Sequence, residues 1–204
     1  MSSTPRSIND AAAAFDSLPG VGPRAALRYA YWLAAQPKDR IQQFARATDG
    51  LARGIQLCEI CNMWSEHSRC DICSDAKRNN GALCVVATSQ DVNTIEDSGA
   101  FNGRYHVLGG LLDPIEGKTP DTLQIPSLLK RLSDSTPPIT ELILALDPDV
   151  TGDTTSLYLM KRCEEFPISI TRLARGLQHG AQIEYADGVT IADAMQNRRS
   201  IGKK

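Results

Sequence analysis

Residues 58–73 read CEICNMWSEHSRCDIC, a C-x2-C-x8-C-x2-C array in which Cys58, Cys61, Cys70 and Cys73 form two knuckles. Each knuckle turns two thiolates toward one point, and four thiolates make the tetrahedral all-sulfur site that Zn²⁺ favours. Four sulfurs leave no position for a substrate or an activated water. One structural zinc per chain is therefore expected, holding a segment too short to fold alone. A redox pair would stand beside a βαβ unit, and this array does not. It separates two stretches with different periodicities.

Before it the pattern is helical. Ile8, Ala11, Ala12, Phe15 and Leu18 fall at helical spacing over 8–18. Pro23 opens a second helix that runs to about Ala35 and is stopped by Pro37. A third places Ile41, Phe44, Ala45, Thr48, Leu51, Ala52 and Ile55 on one face. After Asn79-Asn80-Gly81, Ala82–Ala87 is a continuous apolar run of the buried-strand type. A helix capped by Ser89 follows and ends at Gly99, then a strand over 104–108 and a helix over 125–132. Next come a strand over 141–146, a helix from about Asp153 to Glu165 and a strand over 168–173. Alternation of this kind predicts a mostly parallel α/β sheet with right-handed crossovers. Beyond Gly180 the reading is a strand over 183–185 and a helix over 190–198. The expected organisation is an all-helical head (1–57), a four-cysteine zinc finger (58–80), an α/β domain (81–178) and a C-terminal strand and helix (179–204). The clip is expected to fix how head and sheet domain sit against each other.

Of the 204 residues, 42% are hydrophobic and 23% charged, which is ordinary globular composition. No apolar run approaches the roughly 18 residues of a membrane span, and MSSTPRSIND has neither the apolar core nor the cleavage site of a secretory signal. Cys84 and Cys163 lie in an apolar run and a helical pattern and read as buried thiols, a usage that fits a reducing cytoplasm. Net charge is −2, but residues 1–57 carry seven basic and four acidic side chains, whereas 81–180 carry eight basic and thirteen acidic. A polyanion should meet the head. The acidic part suits a cation or a basic partner.

Leu18-Pro19-Gly20-Val21-Gly22-Pro23 joins the first two helices. Gly20 and Gly22 are expected to turn with φ > 0 and leave amide N–H groups free at the start of the second helix. That end carries partial positive charge and binds phosphate oxygens. Arg24 and Arg28, four apart, flank it and can grip a nucleic-acid backbone without reading bases. The pattern resembles a helix-hairpin-helix motif; the competing reading is an ordinary αα-turn with two solvated arginines.

Three carboxylates, Asp147, Asp149 and Asp153, leave the end of the 141–146 strand, where α/β sheets place ligands. Hard oxygen ligands this close suit Mg²⁺. The D-x-D-x-x-G-D spacing resembles the second motif of Toprim domains, in which a glutamate ending the first strand supplies acid–base chemistry beside the metal. Here that position is Ala87, which neither accepts a proton nor binds a metal, and Asp91 one helical turn on is poorly placed to substitute. Phosphoryl transfer is not expected. A capped helix, with Asp153 as N-cap and the others as loop carboxylates, and a surface for partner proteins are the competing readings.

The order hairpin, zinc finger, Toprim domain resembles the RecR family of bacterial recombination mediators over nearly the whole chain. The resemblance rests on LPGVGPRAALRYA (18–30), the four cysteines, CVVATSQDVNTIEDSG (84–99), GRYHVLGG (103–110), ELILALDPDVTGDTTSLYL (141–159), TRLARGL (171–177) and EYADGVTI (184–191). It implies a non-enzymatic DNA clamp of DNA repair and homologous recombination. Such a clamp forms dimers or tetrameric rings, and works with RecO and RecF to load RecA at single-strand gaps. Gly20, Gly22, Arg24 and Arg28 would then meet single- or double-stranded DNA, and Asp91, Asp147, Asp149 and Asp153 a partner. The chain departs from the family at Ala87, at Leu111–Pro120 and at Gly176–Ala181. The rival functions are a Mg²⁺-dependent Toprim nuclease or primase-like enzyme, and a zinc-stabilised adaptor without nucleic acid. His67 sits between the cysteine pairs but is not expected to be a ligand, because four thiolates already close the site, and His106 and His179 read as structural. Trp32 is expected to pack between helices and Trp64 against the zinc loop, rather than stack on bases.

Overall fold

The computed structural model describes residues 4–202, and the chain divides between Ile55 and Gln56 into two compact units. The first holds α1 (Arg6–Asp16), α2 (Pro23–Ala34) and α3 (Lys38–Gly54). Ala26 and Ala30 are buried on α2, and small side chains there let α1 lie close. Phe15 ties the three helices together, edge-on to Tyr29 at 6.1 Å and tilted against Phe44 at 6.2 Å between ring centroids. One sequence reading is corrected here. Trp32 is 55% exposed rather than packed between helices, its ring lying under the Arg40 guanidinium. The apolar stripe of α3 is also open, with Leu51 66% and Phe44 46% exposed. Three short helices enclose too little volume to cover it.

The second unit opens with the antiparallel pair β1 (Gln56–Leu57) and β2 (Trp64–Ser65), then the single turn α4 (Asp71–Ser74) and a 3₁₀ turn over Ala76–Arg78. β3 (Ala82–Val86), α5 (Ser89–Ser98), β4 (Arg104–Val107), α6 (Ile125–Asp134), β5 (Glu141–Ala145), α7 (Val150–Cys163) and β6 (Ser169–Arg172) follow. The sheet is parallel throughout, in the order β4-β3-β5-β6. Strand side chains alternate between faces, and both faces are covered. Leu83, Val85, Leu142 and Leu144 pack with Leu128 and Leu159, whereas Cys84, Val86, Tyr105 and Val107 pack with Val92. Covering both faces is what makes β3 read as an unbroken apolar run. Cys84 and Cys163 are buried thiols, pushed up to about 12 and about 11 by that burial.

The cap of α5 is Thr88 rather than Ser89, and Gly99 ends the helix at φ +64°. Residues 183–185 are a 3₁₀ turn and not a strand. Ile183 and Tyr185 there are 70% and 79% exposed, and Tyr185 N–H donates to Gln182 O at 3.2 Å within the turn itself. The last helix, α8, spans Gly188–Gln196, with Asp187 capping through Val189 and Thr190.

His106 is fully buried on β4, its Nε2 2.8 Å from the Gln124 carbonyl and its Nδ1 without a hydrogen-bond partner among the described residues. Burial lowers its pKa to about 4. In the unfolded chain a histidine titrates near about 6.5. As pH falls from there toward 4, the unfolded chain takes up a proton that the fold refuses. Stability is then lost, up to about 3 kcal/mol. Urea midpoints between pH 7.5 and 4.5 should fall less steeply in His106→Asn than in the parent; equal slopes would remove His106 as the cause.

Candidate metal centre and nucleic-acid interface

The cysteine knuckles close locally. Cys58 N–H donates to the Met63 carbonyl at 2.8 Å and Asn62 N–H to the Cys58 carbonyl at 2.9 Å, with Asn62 itself left-handed at φ 61°. The second knuckle runs into α4, where Ser74 N–H reaches Cys70 O at 3.0 Å. The four Sγ atoms all lie within 4.8 Å of one another, with Cys61 and Cys70 3.6 Å apart. A Zn–S bond of about 2.3 Å puts tetrahedral sulfurs about 3.8 Å apart, so the set fits zinc. All four are buried, and backbone Cys70 N–H already donates to Cys58 Sγ at 3.4 Å. Hydrogen bonds from Cys61 and Cys73 hold Cys70 far below the usual thiol range, while the bond to Cys70, with burial, pushes Cys61 far up. Zinc displaces the protons of the thiols it binds. His67 is exposed and outside the set. Trp64, expected to pack on the zinc loop, is 58% exposed because β2 turns it outward.

The clip is sewn to the sheet. Val107 N–H donates to Cys61 O at 2.8 Å, and Arg131 Nη1 donates to Ile60 O at 3.3 Å and Tyr105 O at 2.6 Å. Arg78, just past α4, makes a two-pronged pair with Glu96 at 2.8 and 2.6 Å, and Tyr105 Oη donates to the same carboxylate at 2.6 Å. Arg78 holds the Glu96 carboxyl below the usual range.

In the head, Gly20 has φ +76° as expected, but Gly22 is an extended N-cap at φ −94° and ψ 170°. A residue directly before proline is pushed to extended backbone, so Gly22 does not turn the chain. What it contributes is bareness, since a Cβ there would meet nothing within 4 Å. No side chain caps α2, and its first helical bond is Ala26 N–H to Gly22 O at 2.9 Å. The Arg24 and Ala25 amides are therefore open to a ligand. Arg24 and Arg28 are both exposed, and neither makes an ion pair among the described residues. Arg28 lies over its neighbour Tyr29 at 5.4 Å.

The acidic cluster is largely engaged within the fold. The cap of α7 is Asp149, not Asp153: its Oδ1 accepts from Gly152 N–H at 2.7 Å and Thr151 Oγ1 at 2.8 Å. Those bonds hold its carboxyl below the ordinary range. Asp153 sits in the first turn, gripped by Arg175 Nη1 at 3.0 Å and by Nη2, and this pair lowers its pKa. Asp91 accepts from Thr88 N–H at 2.7 Å and Oγ1 at 2.9 Å. Asp147 alone of the four has no hydrogen bond or ion pair among the described residues. The start of α7 presses on the loop so closely that a Cβ on Gly152 would lie 1.9 Å from Asp147 O. Gly152→Ala is accordingly expected to destabilise the second unit by about 2–4 kcal/mol in chemical denaturation, with the Arg78–Glu96 contact intact.

Four family models match the chain consecutively: RecR helix-hairpin-helix at 8–50, RecR four-cysteine zinc finger domain at 55–75, Toprim domain at 81–174 and RecR C-terminal at 179–199. The recombination protein RecR of Prochlorococcus marinus (strain MIT 9313) is 46% identical over 187 residues, 92% of this chain and 97% of that protein. The chain belongs to the RecR family. Other RecR relatives include that of Synechococcus sp. (strain CC9605), 44% identical over 92% of this chain and 96% of its own length. That of Tropheryma whipplei (strain TW08/27) is 39% identical over 96% and 98%. The cysteine cluster is thus the structural zinc site of a RecR four-cysteine finger. In this RecR-type Toprim domain a cavity of about 240 Å³ beside the acidic loop is lined by Ala87, Asp113, Lys118, Asp147 and Thr151. Lys118 and Arg175 bring positive charge to the aspartates. Neither is visible in sequence, because both arrive from loops distant along the chain.

Proposed function

We propose that the protein is a recombination mediator that holds DNA backbone without reading sequence and without breaking bonds. The observation carrying this is the start of α2, where uncapped amides, the bare Gly22 and Arg24 and Arg28, neither in an ion pair among the described residues, occupy one exposed surface. Such a surface offers phosphate oxygens hydrogen bonds and charge together. On this reading the Toprim domain contacts partners rather than cutting. Ala87 gives no proton transfer, Asp91 and Asp149 are occupied as helix-start ligands, and Asp153 is neutralised by Arg175. Asp147 is then too isolated to hold Mg²⁺ among the described residues.

By family membership the partners are RecO and RecF, acting in the cytoplasm to load RecA at single-strand gaps. No helix among the described residues is long and apolar enough to cross a membrane. One hairpin gives weak binding, so several copies in a dimer or ring would be needed. Exposed Phe44 and Leu51 on the head, and Ile183, Tyr185 and Val189 in the tail, support such assembly. The test is DNA affinity against salt. Binding should be indifferent to sequence, weaken linearly on a log–log plot and show no Mg²⁺-dependent cleavage. Cleavage that disappears in Asp147→Asn would replace this reading with the nuclease one.

A further inference from the structure

At the end of the sheet opposite the aspartates, where the parallel strands begin, lies a second cavity of about 240 Å³. Three arginines line it, Arg78, Arg104 and Arg131. Arg78 is matched by Glu96. Arg131 donates through Nη1 to two backbone carbonyls, Tyr105 O and Ile60 O, and has no carboxylate partner among the described residues. Arg104 makes no ion pair among the described residues, and its Nε is buried without a hydrogen-bond partner. Asp134 on the rim is exposed and pairs with neither arginine within 4.0 Å among the described residues. Burial pulls Arg131 below the ordinary arginine value; the knuckle sulfurs, Cys73 foremost, oppose that shift and the charge of Arg104 adds to it.

Two partly buried arginines lining one cavity without a carboxylate partner among the described residues are an unusual arrangement, because buried charges are ordinarily paired. The guanidinium fork matches tetrahedral oxyanions and presents several donors in fixed geometry. We infer that this cavity between the zinc knuckle and the strand starts of β3 and β4 binds a phosphate group through Arg104 and Arg131. Since Arg131 also holds Ile60 O, an occupant would brace the knuckle against the sheet. The site is separate from the α2 hairpin and does not depend on it.

The experiment uses the full zinc-loaded chain carrying Arg24→Glu and Arg28→Glu, so that phosphate taken up by the hairpin is removed. Sodium phosphate is titrated at pH 7.5 against sodium chloride at matched ionic strength, followed by thermal melting and calorimetry. A saturable phosphate-specific rise in Tm is expected, weakened at least about tenfold in Arg104→Gln. Arg104→Lys keeps the charge without the fork and serves if Arg104→Gln does not fold; it should also bind more weakly. No saturable response, or an undiminished one in the folded Arg104 variant, overturns the inference. Deoxyadenosine 5′-monophosphate separates the sources. Competition assigns the phosphate to a nucleotide terminus, and its failure beside retained orthophosphate binding assigns it to the free ion; both uphold the site.

Discussion

Reversing Arg24 and Arg28 together to glutamate should lower affinity for both single- and double-stranded DNA by at least about a hundredfold at moderate salt. The magnitude follows from two charge-assisted contacts at about 1.5–3 kcal/mol each, with repulsion added by the new carboxylates. The slope of log K against log salt should shrink as well, by about 0.9 per lost contact on duplex and about 0.7 on single strands. Both arginines are exposed and make no ion pair among the described residues, so helix content and zinc content should stay unchanged. Gly22→Ala is a finer probe. Its Cβ meets no protein atom, so any loss of DNA affinity would report crowding at the phosphate rather than damage to the fold. A folded double mutant that binds DNA normally would move the contact surface off the hairpin.

What the sequence makes legible is local. The four cysteines announce their site because ligand spacing is a property of one short segment, and the buried strands announce themselves because both sheet faces are covered. Helix starts are less legible: Val150-Thr151-Gly152 carries no apolar period, so the pattern points to 153 as the cap instead of 149. The real cap is visible only once Asp149 meets the Gly152 amide. Gly22 departs from its expected φ since the following proline, not the glycine, sets its backbone. Contacts between distant segments are not legible at all. Arg78–Glu96 and Arg175–Asp153 join residues eighteen and twenty-two apart, and nothing in either segment names its partner. That matters for the acidic cluster, which looks like a metal site in sequence, whereas in space Asp91 and Asp149 cap helices and Asp153 is paired with Arg175, leaving Asp147 alone without a bond among the described residues. The exposed Trp32 and Leu51 follow the same logic, because periodicity says which face is apolar and not whether anything covers it.

Removing zinc should have the largest effect on stability, and a localised one. Structural zinc in isolated fingers carries an apparent binding energy of about 10–16 kcal/mol, comparable to a domain's whole usual margin of about 5–15 kcal/mol. Cys61→Ser takes one ligand and leaves three thiols crowded together in a buried site. The loss then passes to β4 along defined bonds, since Cys61 O accepts from Val107 N–H and Ile60 O from Arg131. Expected are less than one zinc per chain by elemental analysis, at least about 4 kcal/mol less stability in the second unit, and faster hydrogen exchange at Val107. The amides of α1 and α2 should keep their protection, as those helices belong to the other compact unit. Because the metal displaces protons from the thiols, zinc retention against a chelator should strengthen with rising pH. Cys84→Ser supplies the control: it changes an equally buried sulfur outside the cluster, so zinc should stay at one per chain. If Cys61→Ser kept both its zinc and the protection at Val107, the knuckles would not be what fastens this edge of the sheet.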